Sequence, residues 1–479
     1  MKQLTEDEVH DLYRGGENRM VLAYMELQGQ VIVLSERVNQ LERQTKQNSQ
    51  NSSQPPSKDG YKKGPPKNQR KKSGRGSGGQ AGHEGTTLER VADPTTIVEH
   101  WPERCSGCGK FMSSDHAHGY EARQVHDIPA IAIEVTEHRA IQVCCSGCGG
   151  TSQGEFPEQV KPGAQYGSGV AALGVYASVY QLLPLERTRE LMIDLFGCMP
   201  SEGTLVNMLA GCAKRLTPIE AQIKAALMRA AVAHFDETGL RVNKKLHWLH
   251  SVSTARLTYY GVDTGRAGKA FDRVGILPYF TGIGVHDALS SYLKRDIRHG
   301  LCNAHLLREL TGLEEGTCQR WPRKLKDLLI EMKTQVERAV ERGASALFGA
   351  LQAKLESEYD DLVKRALQSN PRPKYQLGQK GRPRASPARN LAERLRNHKD
   401  SVLRFMRDFR VPFDNNQAER DIRMMKVKQK VSGCFRSLEG AQNFAKIRGY
   451  ISTMRKQGHN ALVALRALLD GKPLKLDLA

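Results

Sequence analysis

Apolar positions near the start of the chain recur every seven residues. Tyr24, Val31 and Val38 form one series, and Met20, Leu27, Leu34 and Leu41 form the other. These are a and d positions of a short coiled coil on a helix predicted over residues 13–45. Valine at a with leucine at d favours two strands, although a helix packed on its own chain would carry a similar stripe. The polar run Asn48-Ser49-Gln50-Asn51-Ser52-Ser53-Gln54-Pro55-Pro56-Ser57 ends it.

Helical patterning dominates residues 165–230. Pro184 opens a helix that ends near Gly197, and Pro200-Ser201-Glu202 starts another. The pair is a candidate helix-turn-helix reader of DNA, or a helical bundle leading into the next unit, since its second helix is not notably basic. The period then falls to two. Ala231-Val232-Ala233-His234-Phe235-Asp236-Glu237-Thr238-Gly239 reads as a strand ending in acids, and residues 246–253 and 257–262 read as two more. A helix is predicted from Lys269 to about Phe280, then a short strand, Gly282-Ile283-Gly284-Val285-His286-Asp287, again ending in an acid. Residues 305–400 are mostly helical. Pro412 and Asp414-Asn415-Asn416 read as a turn and N-cap, with Glu419 in the first turns of the helix that follows.

Composition changes the picture by sign of charge. The 479 residues carry 72 Lys+Arg against 52 Asp+Glu, a formal net charge of +20, with a sequence pI near 9.5. That balance calls for an anionic partner, above all nucleic acid, bound in a salt-sensitive way. So long a chain holds more than one domain. No apolar run reaches the length of a membrane span, and the polar, acidic start is not a signal peptide. Ten cysteines in this length are not a secreted disulfide framework. A reducing cytosol with some metal-bound thiolates fits them better.

The charge is concentrated after the first helix. Lys58, Lys62, Lys63, Lys67, Arg70, Lys71, Lys72 and Arg75 face a single acid, Asp59, in a Gly-rich run that cannot bury a core. It is a linker, and its bases equip it to touch DNA phosphates without reading sequence.

Two matching knuckles follow, Cys105-Ser106-Gly107-Cys108-Gly109 and Cys145-Ser146-Gly147-Cys148-Gly149. The C-x-x-C pitch lets two thiolates chelate one ion, and two knuckles complete a tetrahedral Zn2+ site of Cys105, Cys108, Cys145 and Cys148. Cys144 could replace Cys145. Strand-like patches between His116 and His138 are what a zinc ribbon needs. Cys198, Cys212 and Cys434 read as packing residues.

Asp236, Asp287 and Glu419 are the acids whose setting points to chemistry. Two follow strands and one sits on a later helix, an arrangement that can bring three oxygen ligands to one spot for a hard cation, Mg2+ or Mn2+. With phosphate oxygens bridging, such a trio makes a two-metal site with ions ~3.5–4 Å apart. Taken singly, each aspartate is more often a cap or turn residue. Arg423, Lys426 and Lys430 share a helix face with Glu419, and Arg420 adjoins it, so these bases are candidate DNA contacts. The alternative is a solvated helix with a Glu–Arg pair worth a few tenths of a kcal/mol.

Over nearly its whole length the chain resembles the transposases of the insertion-sequence-66 family, the TnpC-type DDE transposases. The matching stretches are Asn51 through Ser57, the paired knuckles, His234 through Gly239, His286-Asp287, and Cys302-Asn303-Ala304-His305-Leu306-Leu307-Arg308-Glu309-Leu310. The most specific runs from Val411 to Ser437, V-P-F-D-N-N-Q-A-E-R and then G-C-F-R-S. The resemblance implies an RNase H-like catalytic core interrupted before Glu419 by a helical insertion. It also implies Asp236, Asp287 and Glu419 as metal ligands, and double-stranded DNA, element ends and target, as substrate. Further implications are a homo-oligomer of at least two chains, sister proteins of the same element as helpers, and a bacterial, nucleoid-associated setting in the cytoplasm. The acids lie 51 and 132 residues apart, which leaves room for the insertion.

The expected fold class is therefore multidomain α/β and α. A coiled-coil dimerisation helix spans 1–47, a basic linker 48–85, a zinc-ribbon-like domain 86–160 and a helical DNA-binding domain 161–230. The catalytic core takes 231–300 and 401–479, and the insertion 301–400. Cys302 and His305 follow the second aspartate, where related transposases carry a Cys/His motif. Two ligands do not make a zinc site; Cys318 could be a third, but a structural role fits better. Gly381-Arg382-Pro383 looks like a minor-groove hook, although a basic loop is the simpler reading. His305-Leu306-Leu307-Arg308 satisfies the H-x-x-R box of a tyrosine recombinase, but no tyrosine follows His459, which counts strongly against that chemistry. Gly265 through Ala270 lacks the spacing and hydroxyl of a P-loop. The remaining rival is a non-catalytic zinc-ribbon DNA-binding regulator derived from such a transposase.

Overall fold

The computed structural model describes residues 6–48, 51, 87–129, 131–373 and 383–478. The linker bases Lys62, Lys63, Arg70, Lys71 and Lys72 lie outside these residues, as do Gly381 and Arg382.

The predicted N-terminal helix is two. α1 (Glu6–Arg14) and α2 (Glu17–Lys46) meet at Gly15-Gly16, where Gly16 turns at φ +89°. Along α2, Tyr24, Leu27, Val31, Leu34, Val38 and Leu41 are all exposed, whereas a helix packed on its own chain would bury them. Between residues 87 and 160 no described residue is buried. The one hairpin there pairs β1 (Gln142–Cys144) with β2 (Thr151–Gln153) antiparallel. Among the described residues, the stretch from His116 to His138 forms no strand, contrary to its alternating pattern. Alternation needs a second face to bury, and Val125, Ile131, Ile133 and Val135 all remain exposed.

From Ser168 onward the chain packs. α3 (Ser168–Val175) runs into a π-helical turn, and α4 (Leu185–Phe196), α5 (Glu202–Arg215) and α6 (Thr217–Arg229) follow. The caps stand where the sequence puts them. Pro184 precedes α4, Gly197 closes it in the left-handed region at φ 61°, and Ser201 Oγ accepts the Thr204 N–H at the start of α5.

Next come β3 (Val232–Val242), β4 (Lys245–Ser253), β5 (Thr258–Asp263), α7 (Lys269–Val274), β6 (Ile283–His286), α8 (Ser290–Leu293) and β7 (Arg298–Leu301). They build a five-stranded sheet in the order β5-β4-β3-β6-β7. The first three strands form an antiparallel meander, and β6 and β7 add on parallel to β3. Asn243 and Lys244, both at positive φ, make the tight turn between β3 and β4, in keeping with the twist of the hairpin.

Three expectations change here. Asp236 does not end its strand, because β3 continues to Val242. The helix from Lys269 stops at Val274, broken by Gly275 at φ 73°. β7 was not foreseen, since Arg298-His299-Gly300-Leu301 shows no β-branched pattern.

The insertion consists of α9 (Asn303–Gly316), α10 (Trp321–Glu341), α11 (Gly349–Ser369), α12 (Pro387–Asn397), α13 (Lys399–Val402) and α14 (Arg404–Arg407). α15 (Asn416–Ser432), α16 (Leu438–Lys456) and α17 (Ala461–Leu469) close the chain. Two apolar clusters hold this unit together. One joins Val175, Leu216 and Leu227 to Leu249 on the sheet and to Met425 and Ile451 on the C-terminal helices. The helices of residues 161–230 therefore share a core with the sheet. The other joins Val285 and Leu301, on β6 and β7, to Leu306, Leu329, Tyr359 and Leu395 of the insertion. Each such side chain contributes roughly 1.5–3 kcal/mol on burial, so many small terms fix the sheet against its helices.

Candidate active site

The sheet register brings the two aspartates together. Val232 pairs with Ile283, Ala233 with Gly284 and His234 with Val285, a constant offset of 51 between β3 and β6. Asp236 and Asp287 are also 51 apart, two residues beyond the last of these pairs on each strand, and the charge of Asp287 acts on Asp236. Asp236 is held mid-strand, its Oδ1 accepting the Glu237 N–H at 2.8 Å. Asp287 follows the last residue of β6 in a turn where Leu289 N–H donates to its Oδ1 at 3.0 Å and Ala288 takes φ 67°.

Histidines fix that turn. Ala288 N–H donates to His286 Nδ1 at 3.2 Å, which leaves Nε2–H to donate to His299 Nδ1 at 2.9 Å. His299 Nε2–H then donates to the Arg295 carbonyl at 3.2 Å. Burial, with the charges of His299 and His398, lowers the His286 pKa to about 3, so it stays neutral and in one tautomer.

Glu419 reaches the same place by way of Asn415. The sequence reads Asn415 as a helix cap, but its side chain makes no capping bond. Instead, Asn415 Nδ2 donates to the Phe235 carbonyl at 2.9 Å, and His234 Nδ1 donates to its Oδ1 at 2.7 Å. Its own N–H donates to Cys302 Sγ at 3.2 Å. The start of α15 is thereby pinned to the backbone beside Asp236. Glu419 lies one turn on along the same helix, beside His305 and Arg308, and its charge still acts on Asp236.

Burial, then the charges of Glu237, Asp287 and Glu419, raise the Asp236 pKa well above its ordinary value. Glu237 faces the other side of the strand. Arg266 Nε donates to it at 2.8 Å and Tyr292 Oη at 2.9 Å. Burial, followed by the Asp287 charge, still raises its pKa to about 7. The oxygens of the trio do not all come within 4.8 Å of one another; among the described residues the group that does is Cys302, His305 and Glu419.

The bases on α15 divide. The cation beside Glu419 is Arg308, its Nη2 3.3 Å from Oε1, rather than the expected Arg423. Arg420, Arg423 and Lys430 are exposed. Lys426 is half-buried, donating to the Gly239 carbonyl at 3.2 Å.

The knuckles repeat each other in detail. Cys105 N–H donates to the Lys110 carbonyl and Cys145 N–H to that of Gly150, both at 2.8 Å. Gly109 and Gly149 take φ 74° and 72°, where a glycine is needed. The bridge Arg104–Phe111 in the first knuckle matches the pair Cys144–Thr151 in the second. Cys145 thus occupies the place of Cys105, while Cys144 corresponds to Arg104. Backbone N–H donors within each turn lower the pKa of Cys105 and Cys145. Among the described residues the four thiols do not converge within 4.8 Å. Cys198 and Cys212 are buried as expected, whereas Cys434 is exposed, and so is Cys318, apart from the Cys302 group.

A mixed α/β unit with acids gathered beside its central strand is the class that fold and site define. The chain belongs to the Transposase IS66 family, whose model matches residues 163–443, more than half of its length. A second match, over residues 5–89, is to a family of unknown function, DUF6444. No curated protein matches the chain. Family membership makes the protein a transposase in its coarse role, one that processes DNA. No described helix is long and apolar enough to cross a membrane.

The residues that sequence reasoning missed are those that place the acids. Asn415, 2% exposed, and the buried His286 carry no local signature of their task. The runs V-P-F-D-N-N and H-D mark them only as neighbours of an acid.

Proposed function

We propose that the protein is a DDE transposase that binds the ends of its element and cuts and joins DNA strands at Asp236, Asp287 and Glu419. The observation that carries this reading is the shared offset of 51 between the β3–β6 register and the two aspartates, with Glu419 tied in through Asn415. The sheet order and strand directions support an RNase H-like core, with residues 303–407 as its insertion.

The donor set fits hard cations. Burial and the charges of Glu237, Asp287 and Glu419 raise the Asp236 pKa, and a bound cation would relieve that repulsion. Magnesium or manganese, when bound, would neutralise acids and phosphate together and polarise the attacking oxygen. The chain supplies position. Mid-strand Asp236 is rigid, Asp287 is fixed by its turn and the histidine chain, and Glu419 is held by its pinned helix and Arg308. Water first attacks the phosphorus at the element end and frees a 3′-OH. That hydroxyl then attacks a target phosphate in the same site, with no covalent enzyme intermediate. Exposed Arg420, Arg423 and Lys430 hold DNA phosphates, with the linker bases as a second grip.

The knuckles bind one zinc, α2 pairs two chains, and the protein works in the bacterial cytoplasm at the nucleoid, with sister proteins of the element as helpers. A supercoiled donor plasmid carrying the element ends, incubated with protein and magnesium, tests the central claim. Asp236→Asn, Asp287→Asn and Glu419→Gln are each expected to abolish cutting while keeping end binding. If Glu419→Gln cuts at near wild-type rate, Glu419 is only an ion-pair partner. If the wild-type chain binds ends but never cuts, the non-catalytic regulator is the better reading.

A further inference from the structure

Cys302, His305 and Glu419 bring their sulfur, nitrogen and oxygen donors within 4.8 Å of one another. Cys302 precedes the first turn of α9 and His305 lies within it, so the Cys-x-x-His pitch points both toward α15. His305 Nδ1 is buried with no hydrogen-bond partner. A buried imidazole nitrogen is ordinarily satisfied, and one left bare presents a lone pair to whatever fills the gap. Cys302 is 2% exposed and its sulfur accepts the Asn415 N–H, an outer contact of the kind that supports a metal-bound thiolate. Glu419 closes the triangle with Oε1 3.8 Å from His305 Nδ1, and its side chain, 32% exposed, leaves a way in from solvent.

We propose that Cys302, His305 and Glu419 bind a soft divalent cation of the zinc class, which draws Glu419 away from Asp236 and Asp287 and silences cleavage. Mixed S, N and O donors favour zinc over magnesium. Zinc bonds of ~2.0–2.3 Å set tetrahedral ligand atoms roughly 3.3–3.8 Å apart. The His305–Glu419 pair, at 3.8 Å, needs to close by about 0.5 Å, and the thiol, within 4.8 Å of both, by roughly 1–1.5 Å at most. Water takes the fourth position. The Cys302 proton leaves to solvent as the sulfur binds. Arg308 is the group such an ion displaces from Glu419, so it sets how much zinc is needed. The silencing effect rests on the proposed catalytic use of Glu419, whereas the binding does not.

The full-length chain, stripped of metal and titrated with cobalt, tests the binding. Cobalt reports a thiolate ligand by its charge-transfer band. Cys302→Ser, which keeps an acceptor for the Asn415 N–H, and His305→Gln are each expected to bind one cobalt fewer than wild type, with the knuckle sites unaffected. Arg308→Met is expected to tighten cobalt and zinc at least several-fold, a gain that misfolding does not mimic. Equal cobalt counts in wild type and both ligand variants overturn the site, as does unchanged affinity in Arg308→Met. Zinc added to magnesium-supported cleavage is expected to inhibit wild type and to spare Cys302→Ser. Equal inhibition of both overturns the silencing role. A chain that loses cobalt with Cys302→Ser but never cuts DNA keeps the site and rejects the catalytic reading.

Discussion

The knuckle segment and the packed unit after Ser168 are held by different physics. Between residues 87 and 160 nothing described is buried, and Trp101, Phe111, Ile128 and Ile141 all face solvent. Order there comes from two short turns with matching hydrogen bonds, the β1–β2 hairpin, and the Gln124 side chain bonded to the Val91 backbone. In the packed unit, by contrast, Leu249, Ile451, Leu329 and Tyr359 are completely covered. Turns alone do not hold a segment of this length against chain entropy. The zinc proposed for the knuckles would supply about 10–16 kcal/mol of apparent binding energy, as structural zinc does in small domains. In one region the motif is nearly the whole structure. In the other the functional residues mean little until packing assembles them.

The sharpest way to break that contrast is to cross the two sites. On the proposed mechanism, Asp236→Asn is expected to slow cleavage at least ~100-fold, because an ion at a phosphoryl oxygen supplies several kcal/mol to the transition state. The same variant is expected to keep the zinc content and melting temperature of wild type. Cleavage assays and elemental analysis on one preparation decide it.

The reverse perturbation is Cys108→Ser with Cys148→Ser. Zinc content is expected to fall by one ion per chain, and limited proteolysis is expected to open the region of residues 87–160 while the fragment after Ser168 survives. Unchanged zinc would remove the knuckle site. Simultaneous loss of the packed unit would show that the two regions are energetically one.

The same contrast explains how far the sequence could be read. Knuckle spacing is local, so the repeat itself was legible at once, and the backbone pairs match Cys145 with Cys105 and Cys144 with Arg104. Strands were misjudged between His116 and His138 because alternation says nothing about what covers the apolar face. In the packed unit, caps and the meander were legible from Pro184, Ser201 and the two-residue period. Asp236 was misplaced at a strand end because Asp-Glu-Thr-Gly mimics a turn, whereas pairing with β4 carries β3 six residues further. The spacing of 51 was visible, but its equality with the strand register was not, since register is a long-range property. Asn415 looked like a cap for the same reason: its partners His234 and Phe235 lie far away in the sequence.

Asn415 therefore sharpens the comparison on the core side. Asn415→Ala would strand the Phe235 carbonyl and His234 in a buried setting, at a cost of about 1–3 kcal/mol for each unmade bond. It also frees the start of α15, so the affinity of the acid site for magnesium or manganese is expected to fall about 10–100-fold. Denaturant melts and metal titration of cleavage measure the two effects. If stability drops while metal dependence stays fixed, Asn415 holds the fold and not Glu419.

The smallest effect asks which region grips DNA. Phosphate contacts made by basic side chains each release counterions, so each adds about 0.9 to the slope of log affinity against log salt. Arg423 is exposed on α15, and Arg423→Ala is expected to reduce that slope by about one without changing stability. Lys426 lies three residues on, yet its ammonium is half-buried and tied to the Gly239 carbonyl, and burial lowers its pKa. Lys426→Ala is therefore expected to loosen α15 against β3 while changing the slope by less than Arg423→Ala does. Removal of residues 58–75, with eight bases and one acid, is the matching change outside the packed unit. It is expected to flatten the slope by several units if the linker lies along DNA. Should the deletion leave the slope alone while Arg423→Ala lowers it, the electrostatic grip belongs to the catalytic face. Should Lys426→Ala lower it as much as Arg423→Ala, the Gly239 contact opens when DNA arrives, and the inner end of α15 binds phosphate as well.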